Sequence, residues 1–237
     1  MEKTSTKSHW RDYWNRSDHQ PVVTHEELLA NLLATTSVKG KKILEVGAGM
    51  GGDSIYLSKK GAHVTVVDFT KEALEKINEN AKKAKVTIKT VQADARNMPF
   101  ADNTFDIIFH QGLLEHFKNP KELLIEQKRV LKSGGYLLVD VPQRYTTYTV
   151  KKHLLMILGK WFAGWEREFS AGELEQLLTD EGYSVVRSYG WGYYGKLHNI
   201  RFAKLGAWYE AIWKFIESTR MKLYLNWCIG VIVQKIA

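Results

Sequence analysis

The sequence predicts an α/β fold, a doubly wound, mostly parallel sheet of seven strands with helical insertions after the fifth and sixth. Three observations carry this expectation. Short apolar runs alternate with helical patterns from Lys41 to Asp140, the rhythm of a parallel sheet with helices on both faces. A glycine-rich turn joins the first apolar run directly to a helix. After Pro142 the rhythm breaks twice before an apolar run returns near the C-terminus.

In chain order, Lys42–Val46 is the first strand, followed by a helix at Ser54–Lys60. Ala62–Val67 is the second strand, and the helix Lys71–Ala84 starts from Thr70, a residue suited to an N-cap. Thr87–Val91 and Phe105–His110 are the third and fourth strands. The helix Pro120–Leu131 carries proline in its first turn and is expected to close at Ser133-Gly134-Gly135. Tyr136–Val141 is the fifth strand. An aromatic and basic stretch, Gln143–Phe169, precedes the helix Ala171–Glu181, which Gly182 stops. Ser184–Ser188 is the sixth strand. A second irregular or helical stretch, Gly190–Lys222, leads to the last strand, Trp227–Gln234. Residues 1–237 are therefore expected to form one domain, with a core at 41–141 and insertions at 142–169 and 190–224.

Composition bounds the function classes. A chain of 237 residues can bury the core of one α/β domain. Its single cysteine, Cys228, excludes an internal disulfide framework and suits a reducing, cytoplasmic setting. Residues 1–20 show no apolar stretch of the secretory kind. The longest apolar run, Leu154–Leu158, is too short to span a bilayer. The net charge of +8 favours anionic surfaces in general without selecting one.

The turn itself reads Glu45-Val46-Gly47-Ala48-Gly49-Met50-Gly51-Gly52-Asp53. Gly47, Gly49 and Gly52 fit G-x-G-x-x-G, where missing side chains let backbone amides approach a ligand. Asp68 ends the second strand, where a carboxylate can accept two ribose hydroxyls. Both features suit a dinucleotide as well as an adenosyl ligand, and a bare structural turn would also use such glycines.

The segments that follow narrow the choice. In order come Gln92-Ala93-Asp94-Ala95, Asn97-Met98-Pro99-Phe100, Asp102-Asn103-Thr104-Phe105-Asp106, His110-Gln111-Gly112-Leu113-Leu114-Glu115-His116 and Arg129-Val130-Leu131-Lys132-Ser133-Gly134-Gly135. From about Lys41 to Val141 the chain resembles the small-molecule class I S-adenosylmethionine methyltransferases, of the type that includes quinone C- and O-methylating enzymes. The resemblance implies a Rossmann-like sheet with an antiparallel last strand. It also implies S-adenosylmethionine as cofactor and S-adenosylhomocysteine as product. Gly47 and Gly49 would pass under the methionine part, Asp68 would hold the ribose, and Phe69 would lie against adenine. Asp94 would accept from the adenine amino group and the Ala95 amide would donate to the ring. Backbone carbonyls at His110 and Gln111 would meet the methionine ammonium, and Glu45 points either there or into a local amide network. Residues 1–40, with Trp10 and Trp14, would form lid helices over the cofactor, or simply pack on the domain.

Methyl transfer from a sulfonium needs an oriented nucleophile and a site from which water is excluded. If the acceptor is a hydroxyl or an acidic carbon, a base helps. His116 is the first candidate and Glu115 the alternative, although a histidine there can also serve the loop. No metal is expected, since the histidines and the cysteine lack ligand spacing. The N/D-P-P-Y/F motif of amino-methylating nucleic-acid enzymes is replaced by His110-Gln111-Gly112-Leu113, and Cys228 is far from the fourth strand, so nucleic acid is not the expected partner. Specificity is expected in the insertions, which hold Trp161, Trp165, Trp191, Trp208 and Trp213. Val150–Phe162 and Ala203–Thr219 carry apolar stripes that would cap the core or roof a pocket for a lipophilic acceptor. Lys151, Lys152, Lys160, Lys204 and Lys214 beside them would suit a peripheral contact with a membrane surface. The competing readings are an RNA-modifying methyltransferase, a non-catalytic S-adenosylmethionine-binding protein and, least favoured, a nicotinamide-dependent oxidoreductase. No oligomeric state follows from the sequence.

Overall fold

A computed structural model describes residues 6–16, 21–161, 163–192, 215 and 218–236. Seven strands form one sheet: β1 (Lys42–Val46), β2 (His63–Asp68), β3 (Lys89–Gln92), β4 (Phe105–Gln111), β5 (Leu131–Pro142), β6 (Tyr183–Trp191) and β7 (Cys228–Lys235). Their spatial order is β3-β2-β1-β4-β5-β7-β6. β1 to β5 are mutually parallel, and β7 is antiparallel to both β5 and β6. This is the doubly wound sheet expected from the sequence, with its last strand reversed.

Because side chains alternate across a strand, the central strands feed two cores. Leu44, Ile108, Leu137 and Val139 pack with helices α5 (Pro120–Val130) and α7 (Ala171–Asp180) on one face. Ile43, Val66, Ile107, Phe109 and Leu138 pack on the other with α2 (Glu26–Thr35), α3 (Gly52–Lys59) and α4 (Lys71–Lys83). The other helices among the described residues are α1 (Lys7–Arg16), α6 (Thr147–Ile157) and the short α8 (Lys222–Leu225).

Three local expectations are corrected. Thr70 stands at the N-cap position of α4, but its hydroxyl donates to Asp68 Oδ1 at 2.7 Å, a buried carboxylate that outcompetes the helix amides. Ser133-Gly134-Gly135 does not close α5. The helix ends at Val130, and β5 begins at Leu131 with a bulge before Ile107 pairs with Tyr136. Burial of both Val130 and Leu131 pulls the chain straight into the sheet.

The third correction concerns α6. Most of its apolar stripe faces outward, with Val150 70% and Ile157 83% exposed, while Leu155 and Trp161 are half-buried and Trp161 packs edge-on against Tyr148 of α6. Lys152, expected on a basic rim, is instead fully buried between Glu168, 2.9 Å away, and Glu166, 3.3 Å away. The two acids recruit the lysine inward, and this ion pairing sets the helix orientation. Most of the second stripe, including Leu205, Trp208, Tyr209, Ile212 and Trp213, lies outside the described residues.

Candidate active site

The sheet order reverses between β1 and β4, and a crevice at the C-terminal ends of strands beside such a reversal is a natural ligand site. A cavity of about 950 Å³ lies there, walled by Val46, Asp68, Gln111 and Pro142 at the ends of β1, β2, β4 and β5. That volume lies at the upper end of the usual range for small-molecule pockets. Helix α1 adds Trp10, Tyr13 and Trp14, and the far side is formed by Tyr148, Trp165, Trp191 and Trp227.

Gly47 and Gly49, with φ of +70° and +54°, turn the chain out of β1 in a conformation that side-chain-bearing residues avoid. The turn leaves a backbone floor over which Trp14 is the nearest group to a Cβ built at Gly49, at 3.8 Å. Asp68 lines the same cavity and is only 8% exposed. Its Oδ1 accepts from the Thr70 amide and hydroxyl at 2.8 and 2.7 Å. Burial raises its pKa against these two bonds. Phe69, Asp94, Ala95, Gln111 and His116 also line the cavity. Asp94 lies on an exposed loop, and its carboxylate is held below the usual range by Arg96, which contacts both oxygens at 3.0 and 2.7 Å. A ligand at Asp94 would compete with that guanidinium.

Two expected site residues stand outside the cavity lining. Glu45 points to the α3 face, where it accepts from the Ser54 hydroxyl. Burial and the neighbouring Asp53 charge raise its pKa well above the ordinary carboxylate range. His110 points to the opposite face beside Gln127, and burial depresses it to about 3. Its ring is therefore neutral core at any physiological pH.

His116 sits at the cavity wall in the 3₁₀ turn Leu114–His116 that follows β4. Trp10 packs edge-on against its ring at 5.1 Å. Its Nδ1 donates to the Trp165 carbonyl at 3.2 Å, which assigns the lone pair to Nε2. Burial lowers its pKa to about 4. Glu115, the alternative base, lies 2% exposed beside it, and burial pushes its carboxyl up to about 8.

Several groups escaped the sequence reading. Asp140 is fully buried in β5, accepting from the Tyr189 hydroxyl at 2.5 Å and from Trp191 Nε1 at 2.8 Å. Burial raises it to about 7 despite both donors. A lone acid within the apolar run Leu137-Leu138-Val139-Asp140-Val141 was a signal that could have found it. His25 pairs with Asp53 at 2.6 Å, tying the segment before α2 to the start of α3. For His25, burial opposes the charged form, but the Asp53 contact prevails and raises its pKa. Nothing in the local sequence marks Lys152 as the partner of Glu166 and Glu168. Among the described residues no group of three or more histidine, cysteine or acidic side chains could hold a metal.

Comparison with known proteins agrees with this geometry. Residues 44–139 match the family described as "Methyltransferase domain". A demethylmenaquinone methyltransferase of Clavibacter sepedonicus is 34% identical over 111 residues, 47% of this chain and 45% of that protein. A ubiquinone biosynthesis O-methyltransferase of Actinobacillus pleuropneumoniae is 33% identical over 125 residues, 51% of this chain and 52% of that protein. The chain thus spans about half the length of these curated relatives. In fold, it resembles a magnesium protoporphyrin IX methyltransferase from Synechocystis solved with bound SAH, with a TM-score of 0.63 at 15% identity over 96% of this chain and 93% of that one. The methyltransferase-domain match at residues 44–139 runs from β1 into β5, the part of the sheet whose strand ends wall the cavity.

Proposed function

We propose that this protein transfers a methyl group from S-adenosylmethionine to the oxygen or carbon of a small, lipophilic acceptor. One observation carries the reading: a single cavity joins the glycine floor and Asp68 to a wall built from Trp10, Trp165, Trp227 and Tyr148. A polar, adenosyl-sized end is thereby continuous with an aromatic end suited to a flat, apolar molecule. The residues fit the cofactor. Gly47 and Gly49 leave room for its amino-acid portion, Asp68 can accept from its ribose, and Phe69 offers an apolar face to its base. When bound, S-adenosylmethionine supplies an electrophilic methyl group on a cationic sulfur. Aromatic walls and the neutral His116 ring exclude water from that point, which favours loss of the sulfonium charge. Quinone-type acceptors, for which both curated relatives are named, have the ring shape such walls suit.

A mass-resolved product screen against quinols, phenols, fatty acids and RNA tests the acceptor class. A methylated quinol or phenol is expected. Methylated RNA alone would overturn the reading, and cofactor binding without any methylated product would favour a non-catalytic binding protein. Replacing Asp68 with alanine should weaken S-adenosylhomocysteine binding roughly 10- to 100-fold, since hydrogen bonds to a charged group contribute about 1.5–3 kcal/mol. Asp68→Asn, which keeps the shape near Thr70, should also bind more weakly. Unchanged affinity in both variants refutes the assigned role.

The outward face of α6 favours a second element, contact with a membrane surface. Val150, Leu154, Ile157 and Leu158 are exposed along one side, with Lys151 and Lys160 beside them. Sedimentation with phosphatidylcholine–phosphatidylglycerol vesicles should bring down the wild type. The variant Leu154→Glu/Ile157→Glu should stay in solution. Equal sedimentation of the two would remove α6 from the account.

A further inference from the structure

The turn after β4 presents two titratable side chains to the cavity, and their surroundings differ. The Glu115 carboxyl lies over Gly112, where a Cβ built on the glycine would stand 3.6 Å from Oε1. Its Oε2 is buried without a hydrogen-bond partner. A buried, unsatisfied carboxyl oxygen at a cavity wall calls for a ligand to complete it. Titratable and charged groups converge on it from every side: Lys152 and Tyr148 from α6, Glu166 from the segment after α6, Asp140 from β5, Cys228 from β7 and His116 next to it in the turn. The Lys152 ammonium is engaged by Glu166 and Glu168, so its charge is largely spent before reaching Glu115. The peptide after Glu166 holds the turn as well, the Arg167 amide donating to the Glu115 carbonyl at 2.8 Å.

We propose that Glu115, and not His116, takes the proton of the methyl acceptor's hydroxyl or enol. This rests on the methyl-transfer reading above. The acceptor O–H bond breaks and its proton passes to the Glu115 carboxylate. The electron pair released forms the bond to the methyl carbon, from oxygen or from the enolate carbon. The carbon–sulfur bond breaks with its pair retained on sulfur. The products are the methylated acceptor, S-adenosylhomocysteine and a protonated Glu115, which returns its proton to solvent. A carboxyl at about 8 is closer in basicity to phenols and enols than an imidazole at about 4, so proton transfer to it is the better matched of the two. A cation bound in the same cavity would favour the ionised carboxylate.

The test is the pH profile of kcat/KM for the wild type, E115Q, E115D and H116N with 1-naphthol and a reduced naphthoquinone as probe acceptors. Infrared difference spectra of the unliganded protein follow the carboxyl directly. The wild-type rate should rise with pH to a plateau with its midpoint near 8. A protonated carboxyl should titrate in the infrared over the same range. E115Q should lose the limb and that carboxyl signal, fall on the order of 100-fold at the plateau, and bind S-adenosylhomocysteine as the wild type does. E115D should recover part of the rate with the limb intact, and H116N should keep the limb. Survival of the limb in E115Q, or a wild-type-minus-E115Q infrared difference in which no carboxyl titrates near 8, overturns the assignment while leaving methyl transfer standing. A wild type that methylates no acceptor at any pH overturns the methyl-transfer reading itself.

Discussion

Lys152→Met is expected to cost about 3–5 kcal/mol of folding stability near pH 8, because removing one partner of a buried ion pair strands the other. The ammonium is fully buried and contacts two carboxylates, one of which, Glu166, is 4% exposed. Methionine fills much of the volume, so packing loss is a small part of the effect. Without the cation, Glu166 must stay ionised in an apolar site or take up a proton. Burial already raises its pKa, with Lys152 opposing, and the substitution removes the opposition. A carboxyl raised in the folded state contributes stability at low pH that is lost as pH rises through the folded value. Denaturant unfolding should therefore show a penalty that is large at pH 8 and smaller at pH 5.5. Adding Glu166→Gln should restore part of it, as expected for coupled neighbours. Equal stability of Lys152→Met and wild type at both pH values would contradict this account. The same pair fixes α6 to the segment carrying Trp165, so acceptor turnover should fall even where the variant folds.

Gly52→Ala is expected to destabilise the protein by about 1–3 kcal/mol through overpacking. A Cβ at Gly52 would run into the backbone carbonyl of Val23, with its carbon only 2.7 Å away. Alanine would favour helix by up to about 1 kcal/mol over glycine, but a main-chain carbonyl cannot rotate aside as a side chain can, so the clash wins. The segment that must move ends in His25, whose amide and ring bind Asp53 at 2.7 and 2.6 Å. Its displacement should expose the turn over which the cofactor is proposed to lie. Hydrogen exchange across residues 21–35 should quicken, and S-adenosylhomocysteine affinity should fall about tenfold, the equivalent of roughly 1.4 kcal/mol. Wild-type exchange and affinity in Gly52→Ala would show that this contact does not support the turn.

The fold was legible because the buried strands are continuous apolar runs bounded by polar or glycine-bearing turns, as in Lys42–Val46 and Phe105–Gln111. Boundaries drifted where tertiary pairing decides them. β6 extends past Ser188 to Trp191 because β7 supplies partners as far as Cys228, although Gly190 interrupts the strand pattern. The α6 stripe misled for a different reason. Amphipathicity assumes that the apolar face turns inward, but Glu166 and Glu168 draw Lys152 into the protein and the helix turns accordingly. In the site, glycine and acid positions at strand ends were readable because backbone shape puts them there. Strand alternation turns the Glu45 side chain to Ser54 and the His110 ring to Gln127, on opposite faces of the sheet, and the His110 reading rests on its backbone carbonyl. Asp140, His25 and Lys152 depend on contacts between distant segments, which spacing along one sequence does not encode.

The central claim is that the turn at Glu45–Asp53 serves an adenosyl sulfonium cofactor and not a nicotinamide dinucleotide. Calorimetric titration of the wild-type protein with S-adenosylhomocysteine and, separately, with NAD tests it most directly. The account predicts saturable, one-to-one binding of S-adenosylhomocysteine and none of NAD. Binding of NAD, with S-adenosylhomocysteine giving no heat, would contradict it.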